Sequence, residues 1–165
     1  KIYRAERINT HGGSIRVYIK KNKKIKIENS VKELIKEEEK FGIKNYNTYK
    51  DFAEKVYKIR ENVRKNISKL KSGSTKIIGY GSPAKATTAL NFFGISKDID
   101  YIVEDNKLKH GKFLPGMNIP IISKEKIKDK PDYALVLAWN FFEDIKANNQ
   151  NIAKKIINIK DLEKQ

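Results

Sequence analysis

The 165-residue chain is long enough to bury one core and carry an appendage, and its lack of cysteine excludes disulfides, thiolate metal sites and a cysteine nucleophile. A net charge of +16 raises nucleic acid as a partner, but only five of the 36 basic residues are Arg, and the lysines are spread among many Ile and Asn residues, a background composition that disfavours base readout. No apolar run approaches the roughly 20 residues of a membrane span, and the opening KIYRAERINT lacks the apolar stretch of a signal peptide, so no membrane partner is expected and the cytoplasm is the default compartment.

Ile2 to Asn9 (IYRAERIN) and Ser14 to Lys20 (SIRVYIK) alternate apolar and polar positions on either side of Gly12-Gly13, which predicts a hairpin. Two strands enclose no core, so the hairpin is expected to be the edge of a sheet whose other strands are absent, with Lys1 a cut point inside a larger domain. Beyond the polar run Lys20 to Lys26, Asn29-Ser30 is expected to cap a short helix carrying Val31, Leu34, Ile35 and Phe41 and ending at Gly42. Asn47-Thr48 opens a second helix of about 25 residues, with Phe52, Val56, Ile59, Val63, Ile67 and Leu70 recurring every three or four positions until Ser72-Gly73-Ser74. Its one-sided stripe is read as a packing surface.

From Thr75 short apolar runs alternate with helical stretches, the signature of parallel βαβ units. Strands are expected at Lys76–Tyr80, Ile99–Val103, Ile119–Ile122, Tyr133–Ala138 and Ile156–Ile159, and helices at Pro83–Phe93, around Lys124–Lys128, and from Phe142 to Lys155. The fold class is α/β, a Rossmann-like, mostly parallel sheet flanked by helices and preceded by a β-hairpin and two helices. The boundaries are a hairpin over 1–27, a helical connector over 28–73 and the Rossmann-like domain over 74–165.

The strand KIIGY runs into Gly81-Ser82-Pro83-Ala84-Lys85, and the helix begins inside that run. Gly79 and Gly81 permit a tight turn and close backbone approach, while the helix amino end offers unpaired N–H groups and the positive end of its dipole. Pro83 suits the first helical turn, Ser82 can cap it, and Lys85 is placed to reach an anion. The spacing Gly79-x-Gly81-x-x-Ala84, with Glu104 and Asp105 about 20 to 25 residues on, fits the dinucleotide fingerprint. A ligand-free strand-to-helix turn is the competing reading.

Further stretches carry a family likeness. His11-Gly12-Gly13-Ser14-Ile15-Arg16-Val17, Gly79 through Thr88 with Asn91 and Gly94-Ile95, Val103-Glu104-Asp105-Asn106, Lys109-His110-Gly111-Lys112-Phe113-Leu114-Pro115-Gly116, Ile119-Pro120-Ile121, Pro131-Asp132-Tyr133 and Leu137-Ala138-Trp139-Asn140-Phe141 occur in one order. Together they resemble the C-terminal region of the nucleotide-sugar C-methyltransferases of deoxysugar biosynthesis. The resemblance implies an N-terminal zinc module, a central S-adenosylmethionine-dependent methyltransferase domain and a C-terminal Rossmann-like domain that helps hold the nucleotide-sugar. On that reading the hairpin is the end of the methyltransferase domain, the S-adenosylmethionine site lies outside this chain, no cofactor is expected in it, and the chain alone transfers no methyl group. The family often has Ala at the position of Ser82, Gly at that of Ala86 and Gln at that of His110.

At the level of single residues, His11 is read as a turn residue or a support behind the site rather than a catalyst, and His110 as an exposed polar residue rather than a base. Glu104, Asp105 and Asn106, at the carboxyl edge of a strand, are expected to bind hydroxyl groups or cap a helix. Lys109 and Lys112 lie in a loop able to close over a diphosphate, and Trp139-Asn140 can stack on a ring and pair with polar groups or merely cover the core. No residue is assigned as catalytic and none as a metal ligand. The partners are a nucleotide-sugar and the upstream methyltransferase domain, with homodimerisation left open. The runner-up is a free-standing NAD(P)- or nucleotide-binding module, and the third reading is a structural interaction domain.

Overall fold

The computed structural model describes residues 1–21 and 24–164, so Asn22 and Lys23 of the polar run and the terminal Gln165 lie outside the described residues. The chain divides into two compact units, Lys1–Lys55 and Val56–Gln165.

In the first unit β1 (Ile2–Ile8) and β2 (Ser14–Ile19) pair antiparallel, with Ala5 opposite Val17 and Arg7 opposite Ile15. Between them His11, Gly12 and Gly13 all take positive φ (53°, 87° and 115°), which accounts for the two glycines in the connection. Helix α1 (Asn29–Phe41) packs on β1 and covers Ala5, and it stops at Gly42 in the left-handed conformation with its N–H on the carbonyls of Glu38 and Glu39. The expected cap is corrected: Glu28 holds the N-cap position without a side-chain bond, and Ser30 Oγ instead accepts the N–H of Ala5. Helix α2 (Tyr46–Leu70) starts one residue earlier than expected. The side chain of Asn45 takes the N–H of Asn47, while Thr48 Oγ1 donates back to the carbonyl of Gly42.

The second unit is a five-stranded parallel sheet in the order β5-β4-β3-β6-β7, formed by β3 (Ile77–Tyr80), β4 (Ile102–Val103), β5 (Ile121–Ile122), β6 (Tyr133–Val136) and β7 (Lys155–Asn158). This is the Rossmann-like α/β arrangement, with chain direction switching sides between β3 and β6. Both faces are covered, because successive residues of the central strands point to opposite sides. Leu135 and Leu137 join Val63 and Ile67 of α2 and Ala86, Leu90 and Phe93 of α3 (Ala84–Phe93) on one face. Ala134 and Val136 join Ile78, Tyr80, Ile152 and Ala153 on the other.

Several elements are shorter than their apolar runs suggest. The run from Ile99 enters β4 only at Ile102, because Asp100 leaves the strand pattern to accept the N–H of Ile77 on its side chain. Helix α4 (Phe142–Asn148) ends well before Lys155, where Asn149 turns its backbone N–H to Lys146 and its amide to the carbonyl of Ile145. The helix expected around Lys124–Lys128 is a single 3-10 turn, Lys124–Lys126. The loop from Lys109 to Gly116 folds back on β5 as a small hairpin, with Leu114 N–H on Ile119 and Ile121 N–H on Lys112.

Gly79 and Gly81 serve different ends. Gly79 is an ordinary strand residue whose missing side chain leaves room for Ile102 and Leu137 from the neighbouring strands, whereas Gly81 has a φ of 82°. A Cβ at Gly81 would also stand 3.1 Å from that of Ala138. Gly81→Ala is therefore expected to lower unfolding stability by about 1–2 kcal/mol in urea, more than Gly73→Ala, where φ is also positive but the space is open. Equal losses for the two variants would show that the contact with Ala138 contributes nothing.

Candidate functional site

The end of β3 and the end of β6 lie side by side at the switch point, where the N–H of Leu137 bonds the carbonyl of Tyr80. The chain beyond each strand end supplies the residues singled out from sequence. Tyr80 closes the strand, Gly81 donates its N–H to Val103, and the chain turns through Ser82 into α3.

Ser82 does not cap the helix, contrary to expectation. Pro83, with φ −69° and ψ 160°, occupies the N-cap position, and no side chain caps α3. Ser82 turns the other way, its N–H 2.9 Å and its Oγ 2.5 Å from the same oxygen of Glu104, Oε2. The other oxygen of Glu104 accepts the N–H of Asn106 at 3.0 Å. Lys109 Nζ closes the cluster, 3.3 Å from Oε2 and 3.0 Å from the carbonyl of Ser82. His110 is half-buried rather than exposed, with Nε2 2.7 Å from the carbonyl of Glu104.

The side chain of Glu104 is only 12% exposed. Burial alone would raise its pKa, but donation from the Ser82 hydroxyl, the N–H groups of Asn106 and Ser82, and Lys109 outweighs it and holds the carboxyl at about 2. A carboxylate has roughly four acceptor positions. Nearly all of them are taken by its own chain, so Glu104 is an anion already seated against the turn.

Asp105 goes to the opposite side. Its carboxylate accepts the hydroxyl of Tyr80 at 2.8 Å and pairs with Lys124 at 2.8 Å, and the Tyr80 hydroxyl also lies 3.1 Å from Oδ1 of Asn149. Burial raises the pKa of Tyr80; Asp105 pushes the same way and Lys124 opposes it.

What stays open is the amino end of α3. The N–H groups of Ala84 and Lys85, in its first turn, have no partner among the described residues, and both residues are exposed. The Lys85 ammonium lies 5.6 Å from the ring centre of Trp139, which packs its other side on the core. Asn140 beside it is exposed. The structure thus gathers Gly81, Ser82, Pro83, Ala84, Lys85, Glu104, Lys109, Trp139 and Asn140 at one sheet edge. It leaves Lys112 out, its side chain exposed and bonded to none of them. Gly79 is one strand residue behind, and His11 belongs to the first unit.

The capping expected at the end of β4 falls to Asn106, whose side chain accepts the N–H of Leu108 in the short turn Lys107–Lys109. Sequence reasoning missed the bond from Lys109 to the Ser82 carbonyl and the Tyr80–Asp105–Lys124 group. These join residues 19 or more positions apart and had no signal. Among the described residues no group of three or more His, Asp or Glu side chains could hold a metal ion, and no helix is long and apolar enough to cross a membrane.

The fold and the open helix amino end at its switch point define a Rossmann-like α/β domain, a class in which ligands commonly bind at this position. The particular family follows from comparison: residues 9–159 match the model of the C-methyltransferase C-terminal domain, and the chain belongs to that family. It is also similar to the C-methyltransferase NovU of Streptomyces niveus, with 33% identity over 145 residues, 86% of this chain and 34% of that protein. The chain thus spans about a third of the length of this curated relative.

The depressed pKa of Glu104 fixes a pH dependence. A carboxyl whose folded pKa lies below its unfolded value stabilises the fold at pH above the unfolded value, and the contribution fades as pH falls through about 4.5 toward about 2. Glu104→Gln is expected to cost on the order of 2–3 kcal/mol at pH 7 and to flatten the loss of stability between about pH 5 and pH 2. Urea unfolding at a series of pH values checks this; parallel profiles for variant and wild type would refute it.

Proposed function

We propose that this chain is the substrate-holding C-terminal part of a C-methyltransferase acting on a nucleotide-linked deoxysugar, with S-adenosylmethionine bound and methyl transfer carried out in a part of the protein that precedes Lys1. The observation that carries the reading is the open amino end of α3, with Lys85 and Trp139 beside it, in a member of the C-methyltransferase C-terminal domain family. Two free N–H groups, a helix dipole and one ammonium suit a diphosphate, and the indole face with Asn140 suits a ring with polar substituents.

The hairpin supports the same reading. One side of β1 is engaged, since the carbonyl of Tyr3 accepts the N–H of Glu28, but β2 pairs with β1 alone and carries Ile15, Val17 and Ile19 exposed. A strand with one unpaired edge and an apolar face fits the terminal part of a larger sheet. We assign residues 1–27 to the end of the methyltransferase domain on that basis, 28–73 to the connector and 74–165 to the ligand-holding domain.

The NAD(P) reading loses its main support at Glu104. In dinucleotide folds the acidic residue after the second strand is free to bind the ribose. Here Glu104 is consumed by Ser82, Asn106 and Lys109, and Asp105, though exposed, turns to Tyr80 and Lys124 on the other side of the strand exit.

Calorimetric titration of the chain separates these readings. A thymidine-diphosphate sugar is expected to bind while NAD does not, and Lys85→Glu is expected to weaken the sugar-nucleotide about tenfold with little change in melting temperature, since the residue is exposed. Binding of NAD alone, or equal affinity of the variant, would overturn the proposal.

A further inference from the structure

A parallel crossover normally lays a helix across the sheet. The connection from β5 to β6 is too short for one and forms only the 3-10 turn Lys124–Lys126. The consequence is an open groove of about 770 Å³ between this connection and the turn that ends α4. It lies on the face of the sheet that carries Ile127 and Ile152, opposite to α3.

Three lysines, Lys124, Lys128 and Lys130, line one wall, and Asn148, Gln150 and Asn151 line the other, with no carboxylate among the lining residues. Lys124 is already bound to Asp105. Asp129, the one acid between the remaining two lysines, pairs with Lys76 instead, at 3.1 Å. Lys128 and Lys130 therefore face the groove with no ion pair or hydrogen bond among the described residues. The negative end of α4 is blunted where it meets the groove, because Asn149 covers the carbonyls of Ile145 and Lys146.

We propose that this groove binds an oligophosphate group. Lys128 and Lys130 supply the uncompensated charge, Lys124 a third ammonium, and the three carboxamides donate to phosphate oxygens. Lysine acts as a mobile point charge, whereas arginine offers a planar fork, so a wall built only of lysine suits a flexible chain of phosphates better than a fixed planar carboxylate. The site is separate from the amino end of α3 and does not rest on the nucleotide-sugar reading.

The probe is inorganic tripolyphosphate, titrated into the chain at about 0.15 M salt, where a diffuse field is largely screened. Wild type is expected to bind. The double variant Lys128→Gln/Lys130→Gln is expected to lose about tenfold in affinity, and Lys97→Gln/Lys160→Gln, which removes the same charge from exposed positions elsewhere, less than about twofold. In the Lys85→Glu background, where anion binding at the amino end of α3 is weakened, the loss on adding Lys128→Gln/Lys130→Gln is expected to persist. No binding by wild type would overturn the site, as would equal weakening by the two double variants, which is the behaviour of a general positive field.

Discussion

The carboxyl edge of the sheet depends on one buried carboxylate. Taking Glu104 out of water is unfavourable unless its oxygens are met by donors, and the donors come from three places: the Ser82 backbone and hydroxyl, the Asn106 backbone, and the Lys109 side chain. Those contacts tie the exit of β3 to the exit of β4 and to the short turn beyond it. In many nucleotide-binding folds the anion that organises the glycine turn is the ligand's own phosphate. Here the chain contributes that anion itself at Ser82, so the turn is held before any ligand arrives, and the first N–H groups of α3 are what remain to be used.

The next residue extends this logic across the sheet. Side chains alternate along a strand, so adjacent carboxylates at the exit of β4 face opposite ways. Glu104 reaches the turn, and Asp105 reaches the Tyr80 hydroxyl and Lys124 on the other side. Tyr80 is 2% exposed, and a buried phenol needs a partner. Two neighbouring acids thus anchor the two faces of one strand exit, each with a lysine from the chain just beyond. In a chain of net charge +16 these few acids are placed where a buried donor needs them.

Much of this was legible in the sequence where periodicity dominates. The long stripe of α2 and the alternation of apolar runs with helical stretches after Thr75 led to the right architecture, because burial on two faces leaves a continuous apolar signature in β3 and β6. Ends were less legible. Asp100 and Asn149 stop elements by spending side chains on backbone groups, a local competition that apolar patterning does not register. At the site, the positions of Gly81, Glu104 and Lys109 could be read, but their partners could not. Ser82 has the chemistry of a cap and of a donor to a carboxylate, and only the position of Glu104, 22 residues away, decides between them.

The two units also differ in how far each encloses itself. In Val56–Gln165 side chains pack on both faces of the sheet and the central strands β3, β4 and β6 are buried nearly throughout. In Lys1–Lys55 Ala5 is the one buried hydrophobic among the described residues, while Phe41, Tyr46, Tyr49 and Phe52 join Ile15, Val17 and Ile19 at the surface. Ordering a hairpin and a helix costs backbone entropy that a single buried alanine cannot offset. Exposed apolar area on that scale has the character of a surface that packs on another protein element. On the proposed reading that element is the methyltransferase domain, and the contact would complete the sheet beside β2.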